Sequence, residues 1–240
     1  IELNNIAELQ RELETKEYAA FIIEGIQGVA GIYVPNNEFI AAARELCTQT
    51  GTLLILDEIQ SGYGRSGKFY AHQHVTYNGE PLKADIVSMA KGIANGFPMG
   101  AIIISPQIKP VYGMLGTTFG GNHLACAAAL STLKVLVKEK LTENAGIIGK
   151  YLKDELNKAA EAYIKENGKS PFKEIRGIGL MIGIEMEPEH QGLRNQLLFN
   201  ENIFTGGAGK NVIRLLPPLC ISKEEVDIFI AALKRCLKLG

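Results

Sequence analysis

The chain has 240 residues, enough for one large domain or two smaller ones, and it is 46% hydrophobic and 21% charged, as is ordinary for a globular protein. Its net charge of −1 at pH 7 gives no indication of binding to nucleic acid or an anionic membrane, so small molecules and protein partners are expected. Its apolar runs fall short of the roughly 20 residues that cross a bilayer, and its four scattered cysteines indicate reduced thiols in a cytoplasmic protein.

The first part of the chain alternates between helical and strand patterns. The patterns predict a helix at 4–15, a strand at 18–23 that ends at Glu24, a helix at 35–50 and a strand at 53–57. This order predicts parallel strands joined by right-handed crossovers. A long polar loop at 63–84 separates them from strands at 86–89 and 100–104, and Ile102, Ile103 and Ile104 are interpreted as core.

The later part of the chain begins with helical patterns and ends on mixed elements. Helices are predicted at 124–137 and 147–163, a strand pair at 173–185, a strand at 212–216, and a final helix opened by a Ser222–Glu225 capping box. The chain is therefore predicted to be α/β, with a mostly parallel sheet in residues 1–140 and a small C-terminal α+β domain in residues 141–240.

Asp57 ends the apolar strand, and a glycine-rich stretch at 62–68 follows it. Chemistry in open α/β sheets lies beyond the carboxyl ends of strands, so this acid suits a nucleotide-bound Mg²⁺ or the ring nitrogen of pyridoxal phosphate (PLP). The glycines fit most of a phosphate loop, but Phe69 stands where that loop requires Ser or Thr. The loop also follows the acidic strand instead of opening the fold, which disfavours the Mg²⁺ interpretation.

PLP requires a lysine close to an acid, and Lys91 follows the short strand at 86–89. Gly92, Gly96 and Gly100 leave room near it. Spacing alone does not separate this role from that of an ordinary solvated lysine. His72 and His74 have no third ligand in sequence, so no metal site is predicted.

Residues 56–67 resemble the signature of the class III aminotransferases, which are fold-type I PLP enzymes. Further stretches match the same family in the same order, at 24–28, 90–92, 96–100, 116–122, 176–180 and 211–218. The resemblance covers essentially the whole chain and is strongest to the acetylornithine and succinylornithine aminotransferases, with ornithine aminotransferases next. It implies transfer of the terminal amine of an N-acylornithine to 2-oxoglutarate in arginine biosynthesis. Ornithine or another ω-amino acid is the alternative amino donor.

The resemblance also implies roles for the residues around the acid and the lysine. Lys91 would hold PLP as a Schiff base and then shuttle a proton at the substrate carbon. Asp57 would pair with the pyridinium nitrogen, although a helix-capping role fits its spacing equally. Gln60 would donate to the phenolic oxygen of the cofactor, and Glu58 is placed at the cofactor as part of the same stretch.

Three more residues receive roles from the resemblance. Thr118 would reach the phosphate of the neighbouring subunit's cofactor, which makes a homodimer part of the mechanism, and Thr117 would lie near the substrate. Arg214 would grip the α-carboxylate of glutamate or 2-oxoglutarate through a bidentate fork.

The sequence also departs from the family in two places. Val29 occupies the position of a glutamate that covers this arginine in many relatives, so the family's gating ion pair cannot form here. The N-terminal phosphate loop, stacking aromatic residue and second substrate arginine of the family are not recognisable. The chain is therefore expected to be a C-terminal part of a longer protein, and the chain alone is expected to bind PLP weakly or not at all. The alternative to an enzyme, for the chain alone, is a catalytically inactive folding or dimerisation unit.

Overall fold

A computed structural model of the chain describes residues 1–239, which form two structural units. Each unit is named after its main sheet. The parallel unit comprises residues 1–25, 35–63 and 68–140, and the antiparallel unit comprises residues 26–34, 64–67 and 141–239. Two short segments from the early part of the chain thus belong to the antiparallel unit, and the domain division near residue 140 stays a prediction.

The helices and strands follow one another in an α/β order along the chain. The helices are α1 (Ile6–Glu14), α2 (Gly28–Gly31), α3 (Asn37–Thr50), α4 (His123–Lys138), α5 (Leu141–Asn167), α6 (Leu193–Glu201) and α7 (Lys223–Cys236). The strands are β1 (Ala20–Glu24), β2 (Leu53–Asp57), β3 (Thr76–Tyr77), β4 (Glu80–Pro81), β5 (Ile86–Met89), β6 (Ala101–Ile104), β7 (Phe172–Ile178), β8 (Met181–Met186), β9 (Gly206–Ala208) and β10 (Val212–Leu215). Short 3₁₀ helices span Ala71–His74, Lys91–Ala94 and Pro188–His190.

The main sheet of the parallel unit has the strand order β1-β2-β5-β6. The first three strands are parallel and β6 is antiparallel, which confirms the mostly parallel sheet predicted from the strand–helix–strand order. Glu24 pairs with Asp57, and Asp57 pairs with Ser88. The carboxyl ends of the three parallel strands therefore form one edge, and the polar residues at their ends lie along it.

Helices α1 and α3 cover one face of this sheet. Leu54 and Leu56 of β2 are fully buried there against Phe39, Leu9 and Leu13. Each such side chain contributes about 1.5–3 kcal/mol by leaving water. The intervening residues of β2 are only half-buried, so burial alternates along a strand whose sequence predicts burial on both faces.

The antiparallel unit is built on a sheet of order β7-β8-β10-β9 in which neighbouring strands are antiparallel. Helices α5, α6 and α7 enclose its main core, in which Leu156, Ile184 and Leu233 are fully buried. Ser222 and Glu225 form the predicted reciprocal cap at the start of α7, with hydrogen bonds of 2.8 and 3.2 Å.

Two features of the fold differ from the sequence-based expectation. Ile102 and Ile103 are 48% and 50% exposed, so the interpretation of this triplet as core is wrong for the described chain. The reason is that they lie on β6, an edge strand of the sheet. The sequence patterns also miss α2, α6 and β9, which are too short or too weakly amphipathic to be recognised from periodicity.

Candidate functional site

Asp57 stands at the carboxyl end of β2, and its carboxylate shapes the turn that follows. Its Oδ1 accepts a hydrogen bond of 2.9 Å from the backbone N–H of Ile59, which is an Asx turn. The side chain is half-buried. Asp57 pairs with Ser88, which lies three residues before Lys91. The acid is therefore beside the end of β5.

Lys91 begins the 3₁₀ turn that follows β5, and its side chain is exposed. Its backbone is left-handed, with φ of +48°, after an extended Ala90. A non-glycine residue in this region costs of the order of 1–3 kcal/mol and persists only where the surrounding structure imposes it. The structure therefore brings Asp57 and Lys91 to the same sheet edge and holds the lysine in a strained turn.

Aromatic residues in and directly after the glycine-rich stretch support this turn. A Cβ added at Gly92 would lie 3.3 Å from Cβ of Tyr63, which is itself left-handed with φ of +56°. The rings of Tyr63, Phe69 and Tyr70 follow one another with centroid distances of 5.0 and 4.7 Å, and the Tyr70 hydroxyl donates to Met89 Sδ at 2.9 Å. Burial raises the pKa of Tyr63 and raises that of Tyr70 to about 12. Sequence reasoning missed these rings, whose only signal is their place beside the glycines.

Glu58 is fully buried directly beside Asp57. Its carboxylate accepts hydrogen bonds from Ser61 Oγ at 2.6 Å and from the backbone N–H groups of Ala71 and His72 at 3.0 and 2.9 Å. Its Oε1 also lies 2.8 Å from His72 Nδ1. Burial raises the pKa of Glu58, but these hydrogen bonds outweigh burial and leave the pKa below its ordinary value. Glu58 therefore braces the loop behind Asp57, and a direct contact with a cofactor stays a prediction.

The other predicted residues of the parallel unit are more loosely placed. Gln60 is half-buried in the turn after β2. Thr117 and Thr118 are exposed in the irregular segment before α4, whose cap is Asn122 with Oδ1 accepting from Ala125 N at 2.9 Å. Their assigned roles toward cofactor and substrate stay predictions.

Arg214 lies within β10 of the antiparallel unit, where it pairs with Gly183 of β8 and Gly206 of β9. The half-buried side chain runs over Gly206, because a Cβ at that glycine would lie 3.4 Å from Arg214 Nε. Arg214 also lines a cavity of about 440 Å³ whose other walls, including Leu152, Phe204 and Phe229, are largely apolar. An arginine among the lining residues of a largely apolar cavity suits a carboxylate on a small organic molecule.

Val29 lies on the short helix α2, inside a loop of the same unit at residues 27–33, and is 71% exposed. Gln27 and Tyr33 close this loop with backbone hydrogen bonds of 2.8 and 3.3 Å. Arg176 anchors it, since its Nε donates to Gly31 O at 2.8 Å and its guanidinium lies 4.0 Å from the centre of the Tyr33 ring. An apolar side chain at this tip offers no charge to a neighbouring arginine.

The glycine-rich stretch does not form a phosphate loop. Gly64 and Gly67 have φ of +88° and +86°, and a Cβ at Gly67 would lie 2.9 Å from the backbone of Gly146 in α5. These glycines are therefore required for a left-handed turn that packs against a helix. This packing removes the structural basis for the nucleotide–Mg²⁺ alternative.

The donor set at the sheet edge fits PLP and does not fit a metal ion. An exposed amine and a carboxylate stand past adjacent parallel strands, which suits a covalently held cofactor with a ring nitrogen to protonate. Within residues 1–239, His, Cys, Asp and Glu side chains form no group of three that could hold a metal. In the same described range, no helix is both long and apolar enough to cross a membrane.

The comparisons with known proteins agree on one family. Residues 2–237 match the family described as Aminotransferase class-III. Acetylornithine aminotransferase of Bacillus subtilis is 40% identical over 227 residues, covering 93% of this chain and 55% of the relative. Acetylornithine aminotransferase of Methanocaldococcus jannaschii is 38% identical over 233 residues, covering 95% and 55%.

Solved structures give the same result. The ornithine aminotransferase PY00104 from Plasmodium yoelii matches with a TM-score of 0.85 and 33% identity, over 99% of this chain and 62% of that one. N-acetylornithine aminotransferase from Stenotrophomonas maltophilia K279a matches with a TM-score of 0.82 and 32% identity, over 99% and 61%. The chain spans about half the length of the curated relatives that it matches.

Proposed function

The chain belongs to the class III aminotransferases, and from this premise we propose that the full protein carrying it transfers the terminal amine of an N-acylated ornithine to 2-oxoglutarate. Enzymes of this family depend on PLP. The observation that carries the proposal is the placement of Asp57 and Lys91 on one sheet edge, at the ends of paired parallel strands. The names of the relatives support the substrate class, and arginine biosynthesis is the pathway that consumes such a product.

Each residue at the sheet edge has a proposed task. PLP, when bound, supplies an electron sink for the carbanion formed at the substrate carbon. Lys91 would hold the cofactor covalently and, once released, move a proton at that carbon. Asp57 would keep the ring nitrogen protonated, and its Asx turn holds the carboxylate in a fixed direction for that purpose. Gln60 would orient the ring through its phenolic oxygen, with Glu58 bracing the loop beneath.

The remaining residues are proposed to bind the substrate and a second subunit. Arg214 would hold the α-carboxylate of glutamate or 2-oxoglutarate, for which a planar guanidinium over glycine is well suited. Thr118 would reach the phosphate of the cofactor in the other copy of a homodimer, with Thr117 near the substrate. The proposed partners are thus amino acids, 2-oxo acids and a second copy, in the cytoplasm, with no role for nucleic acid or membrane.

Ornithine aminotransferase activity is the second candidate, because ornithine aminotransferases are among the solved structures with the same fold. Val29 favours neither candidate through charge, since its exposed side chain cannot pair with an arginine. The chain alone, without further sequence, is proposed to be a folding or dimerisation unit with little activity.

A half-reaction on the full-length protein tests the proposal. The visible absorbance of the lysine-bound cofactor is followed while N-acetylornithine, N-succinylornithine or ornithine is added in turn. We expect rapid loss of the band with one acylated ornithine and slow loss with free ornithine. Bleaching by ornithine alone would replace the first candidate with the second.

Substitution of the lysine tests the chemistry itself. Lys91→Ala should abolish both the band and turnover, because it removes the amine that follows β5. Lys83→Ala is the matched control, since Lys83 is an exposed lysine before the same strand and at the opposite end of it. Full transamination by Lys91→Ala would contradict the proposed function.

A further inference from the structure

Arg65 lies in the middle of the glycine-rich stretch and joins two other parts of the antiparallel unit. Its Nη1 donates to Leu180 O at 3.3 Å and to Pro217 O. In return, the backbone N–H of Leu180 donates to Arg65 O at 3.0 Å. The side chain thus connects the bend between β7 and β8 to the segment that leaves β10.

The environment of this arginine is unusual for a cation. Burial lowers the pKa of Arg65 to about 10, so the guanidinium stays charged at neutral pH. Within residues 1–239 no carboxylate forms an ion pair with it, whereas Arg176 and Arg235 each pair with glutamate. A largely desolvated guanidinium that donates to carbonyl groups fixes the positions of those groups and does not neutralise a carboxylate.

Arg65 binds the chain directly after the point where the sheet hydrogen bonds of β10 end. The pairing of β10 with β8 ends at Leu215, opposite Ile182. Pro217 is two residues further on, and it lacks an N–H to continue a ladder. Asn144 holds the next part of the segment, since its Nδ2 donates to Leu219 O at 2.7 Å and to Ile221 O at 3.1 Å.

The glycines around Arg65 allow this close placement. A Cβ at Gly179 would lie 2.6 Å from Arg65 O, and a Cβ at Gly64 would lie 2.8 Å from Thr142 Oγ1. Both glycines also have positive φ. The stretch therefore packs against α5 and the β7–β8 bend, and this packing fixes the backbone position from which the Arg65 side chain extends.

We propose that Arg65 is a positioning residue, which holds the end of β10 at Pro217 and thereby sets the direction of the Arg214 side chain toward a substrate carboxylate. The inference rests on the proposed carboxylate-binding role of Arg214. It assigns to the arginine of the glycine-rich stretch a part in recognising the 2-oxo acid and its amino-acid product. Binding of the acylated amino donor would not depend on Arg65.

The test is Arg65→Lys in the full-length holoenzyme, assayed with both substrates. Lysine keeps the charge, but its side chain is shorter and its ammonium cannot take the position that Arg65 Nη1 holds between Leu180 O and Pro217 O. We expect the KM for 2-oxoglutarate to rise roughly tenfold, or about 1.4 kcal/mol, with kcat and the KM for the acylornithine within about twofold. Arg235→Lys, which weakens an exposed arginine–Glu201 pair in the same unit, should change neither KM.

A double-mutant cycle separates this inference from the proposed function. Arg214→Lys should itself raise the KM for 2-oxoglutarate, and Arg65→Lys should add little in that background, because the two effects share one route. No effect of Arg214→Lys would overturn the carboxylate role and the inference with it. An effect of Arg214→Lys together with none of Arg65→Lys, or additive effects, would overturn the positioning role alone.

A purely structural role for Arg65 makes a different prediction. It would lower the melting temperature and change both KM values equally, which overturns the inference. Where Arg65→Lys does not fold, Asn144→Ala releases the same segment from its other side. It should then raise the KM for 2-oxoglutarate selectively by a smaller factor, and an equal change in both KM values would again contradict the proposal.

Discussion

The two sheets hold their candidate site residues in different ways. In the parallel unit, Asp57 and Lys91 lie past the ends of β2 and β5, and local turns position them. In the antiparallel unit, Arg214 lies within β10, between Gly183 and Gly206 of two neighbouring strands. Local backbone turns therefore set the positions of Asp57 and Lys91, whereas the position of Arg214 depends on neighbouring strands.

This difference shows which kind of site residue can be recognised from the sequence of one strand alone. A polar residue after an apolar run is visible in the sequence, because parallel strands all end at the same edge. An arginine inside an antiparallel strand is indistinguishable from a surface residue until its cross-strand neighbours are known. Gly206 is such a neighbour, since a Cβ there would lie 3.4 Å from Arg214 Nε, whereas a Cβ at Gly183 would meet Ile32 instead.

The largest expected effect is in the parallel unit, from Asp57→Asn. Asparagine keeps an oxygen for the Ile59 N–H but removes the charge, so the turn should remain. We expect transamination to fall by about 10²–10³-fold, the range for losing one preorganised electrostatic partner, with little change in melting temperature. Asp154→Asn, an exposed acid on α5, is the control and should leave the rate unchanged. A nearly normal rate for Asp57→Asn would show that the charge of Asp57 is not needed for transamination.

Glu58→Gln should lower stability more than it affects binding of either substrate. The substitution leaves backbone N–H groups and His72 facing a neutral amide in a buried place, at a cost of about 1–3 kcal/mol in the free energy of unfolding. Denaturant unfolding measures it, with the exposed Glu80→Gln as control. Unchanged stability would mean that Glu58 does not brace this edge.

The pH dependence of stability gives a second check on Glu58. Its folded-state pKa lies below the unfolded value of about 4.3, so its stabilisation is present above that pH and is lost as the pH falls through the folded-state value. The difference in unfolding free energy between wild type and Glu58→Gln should therefore shrink on acidification. A difference that stays constant from neutral to acid pH would argue against the charged carboxylate as its source.

The smallest expected effect is in the antiparallel unit, from Gly206→Ala. The added Cβ would lie 3.2 Å from Arg214 O and 3.4 Å from Arg214 Nε, so the side chain must shift by a few tenths of an ångström. We expect the KM for 2-oxoglutarate to rise roughly three- to tenfold, or up to about 1.4 kcal/mol. Gly207→Ala is the matched control, because the nearest atoms to its Cβ would be those at the flexible end of Arg194, 3.4 Å or more away. Equal KM values for both variants would show that Arg214 does not depend on its neighbour.

The sequence alone predicts several elements well and others poorly. The helix at 4–15 is observed as Ile6–Glu14, and the final helix starts at its predicted capping box. Both have a strong helical period and local capping side chains. In contrast, Ile102 and Ile103 are exposed on β6 although their pattern indicates core, since an apolar run does not reveal whether its strand lies at an edge.

The candidate site shows the same limit. Asp57 and Lys91 stand out because each follows an apolar strand, but the packing of Tyr63 on Gly92 and the bonds of Arg65 connect residues with no shared pattern. Glu58 is a further example, since its carboxylate binds residues 13 and 14 positions later in the chain. Such pairs are brought together only by the folded backbone.

The sequence by itself determined the family and the α/β order, and it singled out Asp57 and Lys91 as candidates, because these depend on local composition and on motifs in a fixed order. Only the tertiary structure decided that the glycine-rich stretch packs against α5, that Lys91 has a left-handed backbone, and that Arg214 lies over a glycine. The physical reason is that close backbone approach, burial and cross-strand neighbours arise from contacts between distant residues, which local periodicity does not record.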